Sequence, residues 1–201
     1  MAIEALYLHI PFCQSKCAYC DFDSVAACGL DDAPAAQARY LNQLMARLDT
    51  FGAAGLLCGV CTVYIGGGTP SLLGERLVEL VRSVMHWCAP EEFACEANPE
   101  SFTSSLALKL AHAGVTRISL GVQSLRDEEL KAVGRIHNAA QALNAIRCAR
   151  DAGLDVSCDL MCGLPFQTQD SWAKSVARLI EAGPSHVSIY PLTVEDDTPL
   201  A

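Results

Sequence analysis

Three cysteines, Cys13, Cys17 and Cys20, stand four and then three residues apart, directly after an apolar run from Ala5 to Phe12. A loop that curls around a point can bring three thiols spaced in this way onto one small volume. Thiolates are soft ligands suited to iron–sulfur clusters or zinc. The number of them is informative, because a closed structural zinc site or an ordinary cubane takes four protein ligands. Here Asp21 and Phe22 follow the third cysteine, where a fourth might have stood. Three thiolates on a four-iron cluster leave one iron open to a small molecule. The same spacing also fits a zinc loop completed by His9 or Asp21, and it fits incidental thiols.

Further polar groups recur along the chain. Gly66-Gly67-Gly68-Thr69-Pro70 lacks both the GxGxxG spacing and the Gly-Lys-Ser/Thr ending of a nucleotide phosphate loop. Its glycines let a backbone approach a ligand closely, or simply form a tight turn. Glu96 supplies a carboxylate, and Gln123 an amide able to hydrogen-bond ribose hydroxyls. Arg135 offers a guanidinium for a carboxylate, and Asp159 a second ribose ligand.

The elements that must position these groups are strands and helices in alternation. Strands are expected at Leu6–Ile10, Thr62–Ile65, Phe93–Ala97, Arg117–Val122, Val156–Met161 and Val187–Tyr190. Apolar residues at helical spacing mark Tyr40 to Leu48 and Leu77 to Val84. Thr103 or Ser104 caps a helix ending near Gly114, Asn138 caps one running to Gly153, and Asp170–Ala182 is a further helix. Asp23 to Pro34, rich in Asp, Gly and small residues, reads as loop.

Strand–helix repeats with parallel crossovers imply a barrel or a doubly wound sheet. At period two, one strand face carries Tyr7, His9, Tyr64, Glu96, Ser119, Gln123, Ser157, Asp159, Ser188 and Tyr190, while the other is apolar throughout. Parallel strands covered on both sides are apolar on both. A polar face turned inward in every strand therefore predicts a cavity for a polar ligand, and six units predict an incomplete parallel (β/α)6 barrel, open at one side. Every candidate group falls at or just past the carboxyl end of a strand, where parallel α/β folds place their sites.

With 201 residues, 51% of them hydrophobic, the chain is expected to form one domain spanning residues 1–201. A net charge of −9 gives no electrostatic footprint for nucleic acid or an anionic membrane. No apolar stretch approaches the ~20 residues that cross a bilayer, and the amino-terminal run is too short for a signal peptide. The eleven cysteines then read as reduced thiols in a cytoplasmic protein.

Order and spacing together resemble a known family. The CxxxCxxC loop resembles the signature of the radical S-adenosylmethionine (SAM) superfamily. The segments LYLHIPFCQSKCAYCDF, VYIGGGTPSLL, EANPE, ISLGVQS, GRIH, DLMCGLPFQT and SIYPLTVEDDTPL are similar to the oxygen-independent coproporphyrinogen III oxidase group, and within it to its heme chaperone branch. The resemblance implies a TIM-like radical SAM barrel. It implies a 4Fe-4S cluster on Cys13, Cys17 and Cys20, with SAM on the open iron. Gly67, Gly68, Thr69, Glu96 and Arg135 would hold the methionine end of SAM, Gln123 and Asp159 its ribose, and Tyr7 would lie near the cluster mouth. Reductive cleavage of SAM to a 5′-deoxyadenosyl radical is the activity implied.

Coproporphyrinogen oxidases of this group tend to carry another cysteine two residues past the third. Phe22 holds that position here, which is the chaperone-like pattern. Heme or porphyrin, a low-potential donor such as flavodoxin or ferredoxin, and a heme-acceptor protein are the further partners implied. Family members extend beyond the length of this chain, so the chain looks like the amino-terminal core without the carboxyl-terminal domain that contributes to heme handling. The rivals are a true oxidase that converts propionates to vinyl groups, and a zinc-stabilised, non-redox barrel.

Overall fold

Apolar residues on alternate positions and helix caps at the expected places build a single layered α/β unit, which the computed structural model describes over residues 3–201. Six strands form one sheet: β1 (Ala5–Ile10), β4 (Thr62–Gly67), β5 (Glu92–Ala97), β6 (Arg117–Gln123), β7 (Asp155–Cys162) and β8 (His186–Pro191). Their spatial order equals their chain order, and every neighbouring pair is parallel. Among the described residues β1 and β8 each have one sheet neighbour, so the barrel stays open between them. This is the incomplete (β/α)6 barrel that the strand count and inward polar faces predict.

Helices α1 (Ala33–Ala53), α2 (Glu75–Trp87), α3 (Ser104–Ala113), α5 (Ala139–Asp151) and α6 (Gln169–Ala182) form the other layer. Thr103 caps α3 through Leu106 N, and Gly114 ends it in the left-handed conformation. Asn138 opens α5 with a reciprocal capping box to Gln141. The core lies between the helices and the outer face of the sheet, where Ile10, Ile65, Phe93, Cys95, Ile118, Leu120, Cys158 and Leu160 are fully buried. Each large apolar side chain buried there stabilises the fold by about 1.5–3 kcal/mol. Cys95 and Cys158 thus pack as small hydrophobes, and burial pushes the Cys158 thiol up to about 12. Cys162, near the end of β7, is partly exposed.

Two elements depart from the sequence reading. The stretch from Asp23 to Pro34 is not all loop, because β3 (Val25–Ala26) pairs in parallel with β2 (Phe12–Cys13). Two residues are too few to show a period, and the pairing closes the cysteine loop back onto its own start. A short helix, α4 (Asp127–Ala132), follows β6. Its six residues carry four charged side chains, Asp127, Glu128, Glu129 and Lys131, which mask its buried face.

Candidate functional site

The cysteine loop leaves β1 and is held in place from three sides. Its two-residue ladder is one. The glycine segment is the second: Gly68 N donates to Ile10 O at 2.8 Å and Thr69 N to Phe12 O at 2.7 Å. The approach is so close that a Cβ on Gly68 would meet Phe12 O at 2.7 Å and Ile10 O at 2.9 Å. The third is α4, where Ala18 N donates to Val133 O at 3.0 Å. Tyr19 packs there against Val133, Met161 and Leu164. Lys16 Nζ ties the loop to Phe22 O at 3.0 Å.

All three thiols are free, half-buried and turned to one cavity of about 540 Å3. Gly67, Gly68, Thr69, Glu96, Gln123, Arg135 and Asp159 line the same cavity, which falls in the usual size range of small-molecule sites. Tyr7 does not line it. Its ring stacks on Tyr64 with centroids 6.1 Å apart, and its hydroxyl meets His9 Nδ1 at 3.1 Å. His9 Nε2 in turn lies 2.8 Å from Asp23 O, so this histidine fastens the loop behind the cysteines to β1.

Polar groups in the cavity form two ranks. Near the cysteines, Thr69 Oγ1 lies 3.4 Å from Cys13 Sγ and Arg135 3.5 Å from Cys17 Sγ. Arg135 also donates to Asn98 Oδ1 at 2.9 Å and to Gly121 O at 2.5 Å. Burial works against its charge, yet Tyr19, Cys17 and Glu100 outweigh that effect and raise its pKa, keeping it a cation. Deeper in, Glu96 accepts from Gly67 N at 3.0 Å and from Tyr64 Oη at 2.7 Å. Burial and that carboxylate push the Tyr64 phenol far up, so Tyr64 is a neutral donor. Asp159 accepts from Ser119 Oγ at 3.4 Å. Its carboxyl is raised, first by burial, against the hydrogen bond of Ser188 and with the charge of Glu96 adding to the rise.

The residues fit a cubane with a charged nucleoside beside it. The donor set is three free thiols, each of which can serve a different iron. Gln123 Oε1 is buried without a hydrogen-bond partner and so is available to a ligand. Among the described residues no three His, Cys, Asp or Glu side chains stand close enough to hold one metal ion. Sequence reasoning missed Asn98, whose amide donates to Thr69 Oγ1 at 3.1 Å while its oxygen holds Arg135. In the EANPE stretch it reads only as a strand stop. Tyr64 was visible on the polar face but had no assigned partner.

Residues 7–179 match the radical SAM superfamily, and the chain belongs to it. Within that superfamily, the chain is 40% identical to heme chaperone HemW of Escherichia coli, over 96% of this chain and 52% of that protein. It is 41% identical to heme chaperone HemW of Mycobacterium tuberculosis, over 98% and 51%. The chain spans about half the length of the curated relatives it matches. Among solved structures, coproporphyrinogen III oxidase (HemN) from Escherichia coli superposes with a TM-score of 0.83 at 26% identity, covering 96% of this chain and 45% of that one.

Proposed function

We propose that the chain is the radical SAM core of a heme chaperone of the HemW kind, with a 4Fe-4S cluster on Cys13, Cys17 and Cys20 and SAM in the adjoining cavity. The observation that carries this reading is the convergence of three free thiols and the polar carboxyl-end groups on one cavity. When bound, cluster and SAM together supply one-electron reductive cleavage of the sulfonium carbon–sulfur bond. The chain's own residues bind and orient. Gly67, Gly68 and Thr69 present backbone and hydroxyl groups at the cluster side, with Glu96 and Arg135 as the charged partners of an amino acid's ammonium and carboxylate. Gln123 and Asp159 take the ribose hydroxyls. A low-potential flavodoxin or ferredoxin as donor, and a heme-acceptor protein, complete the reading.

The oxidase is the second reading, favoured by the superposition on coproporphyrinogen III oxidase. Phe22 lines the cavity beside Cys20, where it adds an apolar face and no further thiol, and this supports the chaperone. The test is anaerobic reconstitution, measurement of iron, SAM and heme binding, then incubation with coproporphyrinogen III, SAM and a reductant. Cluster and SAM binding without vinyl products are expected of this chain, and stable heme binding of a protein carried on to the length of its relatives. Decarboxylation would establish the oxidase instead, and stoichiometric zinc with no iron uptake would remove the radical SAM chemistry altogether.

A further inference from the structure

Gln123 shares the cavity face with Arg117, Ser119 and Gly121 of its strand, but on a turned backbone. Its φ is 61°, and Ser124 N donates to Val122 O across it at 2.7 Å. A three-residue turn with a positive-φ residue at its centre is a rare and strained form of chain reversal. The ladder to β7 slips at the same point, since Gly121 pairs with Asp159 and Gln123 with Leu160. The turn faces the cavity and leaves Gln123 Oε1 buried and unpartnered. Strain of this kind persists only where the surroundings over-determine it.

Those surroundings centre on Glu129 of α4, which is fully buried and has no part in the site described so far. Its Oε2 accepts from Ser124 Oγ at 2.6 Å and from Gln167 Nε2 at 3.3 Å. Gln167 also donates to Met161 O at 3.1 Å and accepts from Gly163 N at 2.6 Å. One carboxylate therefore joins the residue after Gln123 to the end of β7, two residues past Asp159. From the other side, His137 Nε2 meets Val122 O at 3.2 Å. Glu129 Oε1 lies 3.8 Å from Arg126 Nε with no hydrogen bond. A buried carboxylate with an oxygen left over is costly for stability alone.

We propose that Glu129 is a positioning residue that locks the Gln123 turn and thereby gives the cavity its selectivity for the ribose hydroxyls of its nucleoside ligand. This rests on SAM occupying the cavity, so the test reports on that separately. SAM and its 2′-deoxy and 3′-deoxy analogues are titrated against the reconstituted wild type, Q123A, E129L, E129Q and S124A, with iron content and melting temperature measured for each. The wild type should prefer SAM over at least one analogue by about tenfold, the worth of one well-made hydrogen bond. E129L and S124A should lose that preference, as Q123A does, while binding the analogue as the wild type does. E129Q keeps the one accepting oxygen and should retain the preference. S124A carries the test should E129L fail to fold. Equal weakening of SAM and analogue in E129L or S124A, or full retention of the preference in S124A, overturns the role of Glu129. No SAM binding by the wild type overturns the function proposed above. A wild-type preference that Q123A retains overturns the ribose assignment of Gln123 and with it the role of Glu129.

Discussion

Arg135 and Cys17 lie 118 residues apart in the chain, and the guanidinium meets the thiol at 3.5 Å. A cation thus faces the Cys17 thiol from within the cavity wall, anchored by Asn98 and the Gly121 carbonyl.

Replacing Cys13, Cys17 or Cys20 by Ala should abolish iron uptake on anaerobic reconstitution, while Cys95→Ala and Cys158→Ala should leave it intact. Iron analysis and the broad visible absorption of a cubane check this. The wild type is expected to hold about four irons per chain. Retention of full iron by any of the first three variants would remove the triplet as ligands.

Arg135→Ala and Asp159→Ala should keep the cluster yet weaken SAM by one to two decades, since losing a hydrogen bond to a charged group costs ~1.5–3 kcal/mol. Arg135→Lys should recover part of this at most, because an ammonium cannot span Asn98, Gly121 and a ligand with one planar fork. Calorimetric titration of SAM measures both. Unchanged affinity in both alanine variants would mean that the ligand lies elsewhere.

Asp159 carries a stability cost whose sign follows from its raised pKa. The native state holds this proton at pH values where the unfolded chain has released it, so stability falls as pH rises from the unfolded value of about 3.9 through the native one. Asp159→Asn should therefore melt higher than the wild type at pH 7, and the gap should close as pH falls toward 4. Melting curves across that range provide the measurement. A constant gap, or one that widens in acid, would contradict the assignment.

Gly68→Ala should disturb the cysteine loop without touching a cysteine. Its new methyl meets two backbone carbonyls rather than a movable side chain, and overpacking of that kind costs ~1–3 kcal/mol. A lower melting temperature together with slower or incomplete iron uptake is expected. Gly153→Ala is the comparison, since its Cβ meets no neighbour within 4 Å, although its φ of 79° adds some strain.

The barrel was legible because the six strands of the large sheet alternate between a core face and a polar face, and because Asn138 and Thr103 are strong caps. The site was legible to the extent that its residues end strands. Elements without a period were not: β2 and β3 have two residues each, and α4 has one and a half turns. Asn98 and Glu129 act through contacts 37 and 38 residues away in the chain, to Arg135 and Gln167, and nothing local announces such contacts. Tyr7 lies on the expected strand, where its ring stacks on the cavity-lining Tyr64.

The sequential strand order, with β1 and β8 each left with a free edge, has a mechanical consequence. A closed barrel fixes its radius, because every strand is bonded on both sides and tilt, stagger and diameter are linked. Among the described residues no strand ladder closes the gap, although Leu200 N donates to Ala18 O of the cysteine loop at 2.9 Å, so a change of a few degrees in twist at each strand pair, well inside the range sheets adopt, adds up across the sheet. The distance between the Cys13 loop beside β1 and the Tyr190 end of β8 becomes a soft coordinate. The two edges can move relative to one another with every ladder between neighbouring strands left intact.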